Sequence, residues 1–199
     1  MIAIIDYGIG NLRSVQKAFE FIGIEAIITC DVATIREAER VVLPGVGAFQ
    51  DAINAIKDRG LYDIIMEQAN SNKPFLGICV GMQLLFDMGY EDGEHKGLGI
   101  ISGNVIKFEL EGLKIPQIGW NEIIHDNTHP YLKDLPDNMV YFVHSYYCDA
   151  NLDNVIATCE YGIEFPAVIA KDNIFAVQFH PEKSGDTGLE ILRRFGGVK

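Results

Sequence analysis

Pro74-Phe75-Leu76-Gly77-Ile78 runs without a linker into Cys79-Val80-Gly81, and a stretch of helical character, Met82–Met88, follows at once. A short apolar run of this kind reads as a strand buried on both faces. Its direct passage into a helix marks a β-α unit, so a parallel sheet flanked by helices is expected. The pattern Gly-x-Cys-x-Gly also places a nucleophile type between two glycines at the turn. Small neighbours there relieve crowding around a strained residue and leave its side chain accessible.

Upstream of this junction the same alternation repeats. Ile2–Ile5 is followed by a helix over Asn11–Phe21, Ala26–Thr29 by one over Thr34–Glu39, and Val41–Leu43 by one over Phe49–Asp58. A further helix, Leu61–Asn70, leads into the junction itself. Downstream the character changes. Gly103–Phe108, Ile115–Ile124, Met139–Tyr147, Asn154–Glu160, Ala167–Ala170 and Ile174–Phe179 read as strands separated by Gly, Pro, Asn and Asp, a pattern for antiparallel or mixed pairing. A closing helix is expected over Asp186–Phe195. No repeat, charge block or Ser/Gly-rich linker divides the halves, so the expectation is one α/β domain spanning residues 1–199, its central sheet mostly parallel.

Composition removes several functions. With 28 acidic against 16 basic residues the formal net charge is −12, which opposes binding to a phosphate backbone. No run approaches the ~20 apolar residues needed to cross a bilayer, and Met1–Ile5 meets Asp6 with no basic leader, so a cytoplasmic protein is expected. Cys30, Cys79, Cys148 and Cys159 show neither a C-x-x-C pair nor zinc-ligand spacing. Reduced thiols and no metal are expected. Gly8 and Gly10 begin a dinucleotide-loop pattern, but its third glycine falls on Arg13, and no cofactor is expected.

The chemistry centres on Cys79. At the start of a helix its sulfur would meet backbone N–H groups that favour the thiolate, although the motif alone serves a buried core cysteine equally well. Phe179-His180-Pro181-Glu182 ends the last apolar strand, and in an extended segment Glu182 would lie on the same side as His180. A carboxylate on one imidazole nitrogen fixes the tautomer and leaves the other nitrogen to exchange protons with a thiol and a leaving group. Cys79, His180 and Glu182 therefore form a candidate catalytic triad. Leu43-Pro44-Gly45-Val46-Gly47 is a glycine turn at a strand's carboxyl end, and the amides of Val46 and Val80 are candidate oxyanion-hole donors.

These motifs together resemble the class I, triad-type glutamine amidotransferases over nearly the whole chain. The resemblance is carried by Ile4–Leu12, Pro44–Phe49, Gly77–Gln83, Gly119-Trp120-Asn121, His144-Ser145-Tyr146 and Gln178–Ser184. It implies a flavodoxin-like glutaminase fold, with Cys79 as nucleophile, His180 as acid and base, and Glu182 as its orienting partner. It implies a pocket for L-glutamine lined by Gly45, Gly47, Gln83, His144, Ser145 and Tyr146. It implies further that a peptide bond near Val46 rearranges to complete the oxyanion hole when a partner is engaged. Val80 stands where many relatives carry leucine, and the backbone role is indifferent to that change. Only 17 residues follow Glu182, so the ammonia released is expected to serve a separate subunit. By resemblance that subunit is a (β/α)₈-barrel synthase forming a heterodimer, docked near Gly10, Asn11, Trp120, Asn121 and Lys183. The same motifs also fit a glutaminase that supplies a sugar-amidinating synthase, or a stand-alone Cys-His hydrolase of γ-glutamyl substrates.

Overall fold

A computed structural model describes residues 1–197. The chain opens as strand β1 (Ile2–Ile5), helix α1 (Leu12–Phe21), β2 (Ala26–Thr29), α2 (Val32–Glu37), β3 (Arg40–Gly45), α3 (Phe49–Asp58), α4 (Tyr62–Ala69) and β4 (Phe75–Cys79). It continues as α5 (Val80–Gln83), β5 (Phe86–Gly89), β6 (His95–Lys96), β7 (Ile101–Lys107), β8 (Gln117–Ile124), β9 (Met139–His144) and β10 (Tyr146–Ala150). The last elements are β11 (Val155–Glu160), β12 (Glu164–Lys171), β13 (Ile174–Val177), a 3-10 turn at Pro181–Lys183 and α6 (Gly185–Phe195).

Nine strands form the main sheet in the order β2-β1-β3-β4-β13-β12-β11-β8-β9. From β2 to β13 neighbours pair in parallel; from β13 to β9 they pair antiparallel. This is the α/β architecture expected, with its antiparallel extension supplied by the second half of the chain. A smaller sheet, β10-β7-β5-β6, lies beside it. The central parallel strands β1 and β4 are apolar throughout because both faces are covered: Ile2–Ile5 and Phe75–Cys79 are buried at every position.

Chain direction decides where the helices go. The step from β1 to β2 runs opposite to the steps from β2 to β3 and from β3 to β4, so right-handed crossovers put α1 on one face and α2, α3 and α4 on the other. Accordingly α1 packs on α6, with Phe19 against Phe195 at 6.4 Å between ring centroids, while α2 packs on α4. The carboxyl ends of β1, β3, β4 and β13 therefore meet at one edge of the layer, where ligands of open α/β sheets bind.

The helix expected over Met82–Met88 is the main departure. Helix α5 lasts one turn, and the chain then becomes β5. Met82, Leu84, Leu85 and Phe86 are all fully buried, and the carbonyls of residues 84–86 accept from the N–H groups of segment 98–101 where a continuing helix would have used them itself. Leucine and methionine carry helix propensity, but pairing with a distant strand overrides it here. The expected helix Thr34–Glu39 begins earlier, at Val32, because Asp31 caps it by accepting from the Thr34 N–H at 2.8 Å.

Gly81 lies against the backbone of β3: a Cβ there would overlap the Leu43 carbonyl oxygen. Gly23, at φ +78°, has no atom within 4 Å of a Cβ position. Gly81→Ala should therefore cost about 3 kcal/mol as overpacking and lower the thermal midpoint by about 6–12 °C, against about 1 kcal/mol of backbone strain for Gly23→Ala. Thermal denaturation of the two variants checks the order; a smaller loss from Gly81→Ala would contradict the close packing of the Cys79 turn on β3.

Candidate active site

Strand β4 delivers Cys79 to the carboxyl edge of the sheet with its backbone at φ 54°, ψ −112°. This is a strained conformation for a residue with a Cβ, and it turns the side chain out of the strand's alternation toward the end of the sheet. Gly45 of β3 lies directly beside it in the register. A Cβ at Gly45 would meet the Gly81 nitrogen and the Tyr7 hydroxyl, both at 2.7 Å, so this glycine permits strand-to-turn packing. Gly45 is not among the residues that line the cavity beside Cys79.

His180 follows β13 and is brought to the same edge. Its Nδ1 lies 2.9 Å from Glu182 Oε1, and the two side chains are only 2% and 1% exposed. A carboxylate accepts, so Nδ1 carries the proton and Nε2 is the nitrogen left for chemistry. The extended geometry expected for this segment is absent: Pro181–Lys183 forms a 3-10 turn, which folds the carboxylate back onto the ring. Burial opposes the charged imidazolium, but the Cys79 sulfur and then the Glu182 carboxylate outweigh it and raise the His180 pKa to about 10. Nε2 itself makes no hydrogen bond of standard geometry, and the Cys79 sulfur is the first of the groups that raise its pKa.

Beyond these three groups, a relay of side chains supports the sulfur. Gln83 Nε2 donates to the Tyr146 carbonyl and to Gln178 Oε1, both at 3.0 Å, and Gln178 Nε2 points at Cys79 Sγ from 3.7 Å. Tyr7 donates its hydroxyl to the Pro44 carbonyl at 2.8 Å. Burial first, and the nearby Cys79 charge second, push the Tyr7 pKa well above the usual phenol range, so it stays a neutral donor. The short α5 limits what a helix dipole can add, since one turn aligns few peptide units.

A cavity of about 530 Å³ opens onto Cys79 and His180. Its walls include Val46, Gly47 and Val80, together with Gln83, His144, Ser145 and Tyr146. Val46 and Val80 thus reach the cavity that holds Cys79 from two different turns. Glu91 and Pro116 also line the cavity and carried no signal in the sequence; Glu91 is recruited by a 2.7 Å hydrogen bond from the Phe49 N–H. His144 donates from Nδ1 to the Tyr146 carbonyl at 2.8 Å, leaving a buried lone pair on Nε2 without a partner. Burial, reinforced by the His180 charge and opposed by that hydrogen bond, lowers its pKa to about 4. It is therefore a neutral imidazole beside a charged one.

The residues expected to dock a partner divide. Trp120 is half exposed, and its ring meets Tyr141 edge-on at 6.1 Å, while Lys183 Nζ lies 5.8 Å over the Tyr141 ring. Asn121 is next to Trp120 on β8 and so faces the opposite side, where its amide oxygen accepts from Gln117 at 2.8 Å. Gly10, at φ 143°, shapes the loop after β1, and the Asn11 side chain turns inward to donate to Glu182 Oε1 at 3.0 Å.

Comparison with known proteins places this geometry. The glutamine amidotransferase class-I family model matches residues 3–196. The imidazole glycerol phosphate synthase subunit HisH of Caldanaerobacter subterraneus subsp. tengcongensis is 52% identical over 198 residues, covering 98% of this chain and 97% of its own. The protein of the same name from Geobacter sulfurreducens is 50% identical, covering 100% and 99%. Among solved structures, a glutamine amidotransferase superposes with a TM-score of 0.77 at 17% identity, covering 100% of both chains. A chain of PurLQS from Thermotoga maritima does so at 0.75 and 19%, covering 98% and 96%. At such identities the structures speak for the fold alone.

In Cys79→Ala the sulfur's contribution to His180 disappears while that of Glu182 remains. The His180 titration midpoint should accordingly fall below the value of about 10 in the intact protein. NMR titration of the imidazole nitrogens measures this, and an unchanged midpoint would mean the sulfur does not act on the ring.

Proposed function

The chain belongs to the class-I glutamine amidotransferase family, and from that premise we propose that it is the glutaminase subunit of an imidazole glycerol phosphate synthase, serving histidine biosynthesis. The observation that carries the reading is the meeting of Cys79 and His180 on one cavity, with Glu182 held against the His180 ring, in a chain half identical to the HisH subunits over nearly its full length.

In the proposed reaction the Cys79 thiolate attacks the side-chain carboxamide carbon of L-glutamine. The amides of Val46 and Val80 donate to the resulting oxyanion; losing one such donor typically costs about 2.7–4 kcal/mol of barrier. As the C–N bond breaks, His180 gives its Nε2 proton to the departing nitrogen, which leaves as ammonia, and a γ-glutamyl thioester remains. His180 then takes a proton from water, the hydroxide displaces sulfur, and glutamate leaves. Glu182 keeps the Nδ1 proton in place throughout, so the same nitrogen serves as acid and as base. Gly47, Gln83, His144, Ser145 and Tyr146 are the proposed glutamine contacts, and Glu91 offers a carboxylate to the substrate's ammonium group. No step calls for a metal or cofactor.

The ammonia is proposed to pass to a separate (β/α)₈-barrel synthase subunit in a heterodimer. Support comes from the edge strand β9 and its neighbour β8, which share a face carrying Ile118, Trp120 and Met139, large apolar side chains 40–57% exposed. Lys183 and Trp120 remain the proposed polar and aromatic contacts there, with Gly10 and Asn11 at the adjoining loop. No helix among the described residues is long and apolar enough to cross a membrane. A cytoplasmic setting is part of the proposal, supported by four cysteines that are all free.

Glutamine hydrolysis should be weak in the isolated chain and rise when the barrel synthase and its nucleotide ligand are added. In that complex Cys79→Ala should abolish glutamine-dependent synthesis and leave synthesis from ammonium salt intact. Equal loss with both nitrogen sources would sink the division of labour. Vigorous turnover of γ-glutamyl peptides by the chain alone would favour an independent hydrolase.

A further inference from the structure

Two helix starts in this molecule carry capping residue types that do not cap. Asn11 begins α1 and Ser184 begins α6, and neither side chain accepts a hydrogen bond from its own helix. Asn and Ser are favoured at this position because their oxygens satisfy the open N–H groups of the first turn. Elsewhere in the chain that preference is obeyed: Asp31 accepts from the Thr34 N–H of α2, and Asn151 accepts from Asp153 at a 3-10 turn. The two exceptions are the residues whose side chains reach His180 and Glu182.

Asn11 crosses 171 positions of sequence to reach Glu182 Oε1, the same oxygen that faces His180 Nδ1. Among the described residues Glu182 has no other side-chain donor, and its Oε2 is buried without a partner. A carboxylate removed from water needs donors to hold its charge and its orientation, and here one neutral donor and one imidazole do both. Ser184 acts on the other member of the pair. Its hydroxyl donates to the His180 carbonyl at 2.6 Å and accepts from the Tyr141 N–H at 2.9 Å, while the His180 N–H donates to the Tyr141 carbonyl at 2.9 Å. The backbone of His180 is thereby tied to strand β9 at both its nitrogen and its oxygen. Ser184 is 1% exposed, so water cannot replace the hydroxyl.

We propose that Asn11 and Ser184 are positioning residues, their side chains diverted from helix capping to hold the Glu182 carboxylate and the His180 backbone so that Nε2 faces Cys79. The proposal deepens the reading of these three side chains as a catalytic set and rests on it. A structural role alone would leave the local helices better capped and the triad indifferent. A positioning role requires the reverse, because a small misplacement of an acid or base lowers the rate far more than it lowers stability.

The test reads Cys79 directly, without glutamine or a partner: the rate of its alkylation by iodoacetamide in the full chain, followed by mass spectrometry, with exposed Cys30 as the internal reference. Asn11→Ser, which is too short to reach Glu182 yet able to cap α1, should slow Cys79 alkylation by about tenfold to a hundredfold. Its thermal midpoint should stay within about 2 °C of the intact protein's. Ser184→Ala should slow Cys79 to a similar degree. Asp31→Ala, which removes a cap far from the site, should lower the midpoint by about 2–4 °C and leave Cys79 unaffected. Wild-type reactivity in Asn11→Ser or in Ser184→Ala would remove that residue from the proposal, and an equal slowing in Asp31→Ala would overturn it altogether. Glutamine hydrolysis by the unaltered chain in its complex is scored separately, so failure of the enzymatic reading is distinguishable from failure of the positioning role.

Discussion

The backbone of Cys79 at φ 54°, ψ −112° is the constraint around which the rest is arranged. A non-glycine residue in such a region costs of order 1–3 kcal/mol and persists only where the surroundings leave no alternative. Here β4 is fixed on both sides by parallel partners, β3 and β13, whose register runs to Gly45–Cys79 on one side and Val177–Ile78 on the other. Gly81 sits on the Leu43 carbonyl, and a Cβ at Gly77 would meet the backbone of Gly81 and Met82 at 3.0–3.1 Å, so the turn closes tightly on the strands. Strain in the Cys79 backbone is thereby borne by a sheet paired on both sides of β4.

The same edge separates two histidines by environment. His180 is buried, yet a sulfur and a carboxylate hold it in the charged form, with a pKa of about 10. His144, on the facing strand, packs among Phe108, Phe142 and Phe165 at 5.2–5.5 Å between ring centroids and is held neutral, with a pKa of about 4. Opposite protonation states of one residue type within a single cavity give it a donor and an acceptor at neutral pH. Cys148, also buried near the nucleophile, has its thiol pushed up by burial and then by the Cys79 charge, so one sulfur is left for chemistry.

Sequence reasoning reached the strands because their apolar runs are continuous where the sheet is covered on both faces, and Ala26–Thr29 and Phe49–Asp58 fall where periodicity placed them. It failed over Met82–Met88, where four buried apolar residues satisfy a helical pattern and a strand equally, and the distant segment 98–101 decides between them. Glu182 was assigned to His180 through the wrong geometry, since a 3-10 turn and an extended segment both bring residues two apart within reach of each other. Gly45 and Asn121 sit inside recognisable motifs, but their roles depend on which neighbour lies beside them and on strand parity. Tyr7 and Gln178 likewise lie inside the motifs, and only the folded chain shows that they support the sulfur. Glu91 was invisible as a site residue for a simpler reason: it is held at the cavity by the distant Phe49 N–H, and nothing in its neighbouring residues marks it.

Strand β9 ties the outside of the molecule to the triad. On one face it presents Tyr141 beside Trp120 and Lys183; at its carboxyl end His144 enters the cavity; and its Tyr141 backbone holds His180 once directly and once through the Ser184 hydroxyl. As an edge strand it has no neighbour beyond it to resist displacement. A partner covering Ile118, Trp120 and Met139 would bury apolar surface and, through the same strand, restrain the histidine whose Nε2 lacks a well-formed hydrogen bond in the free chain. Docking and alignment of the imidazole would then be one event, since the strand proposed to receive the partner also holds His180.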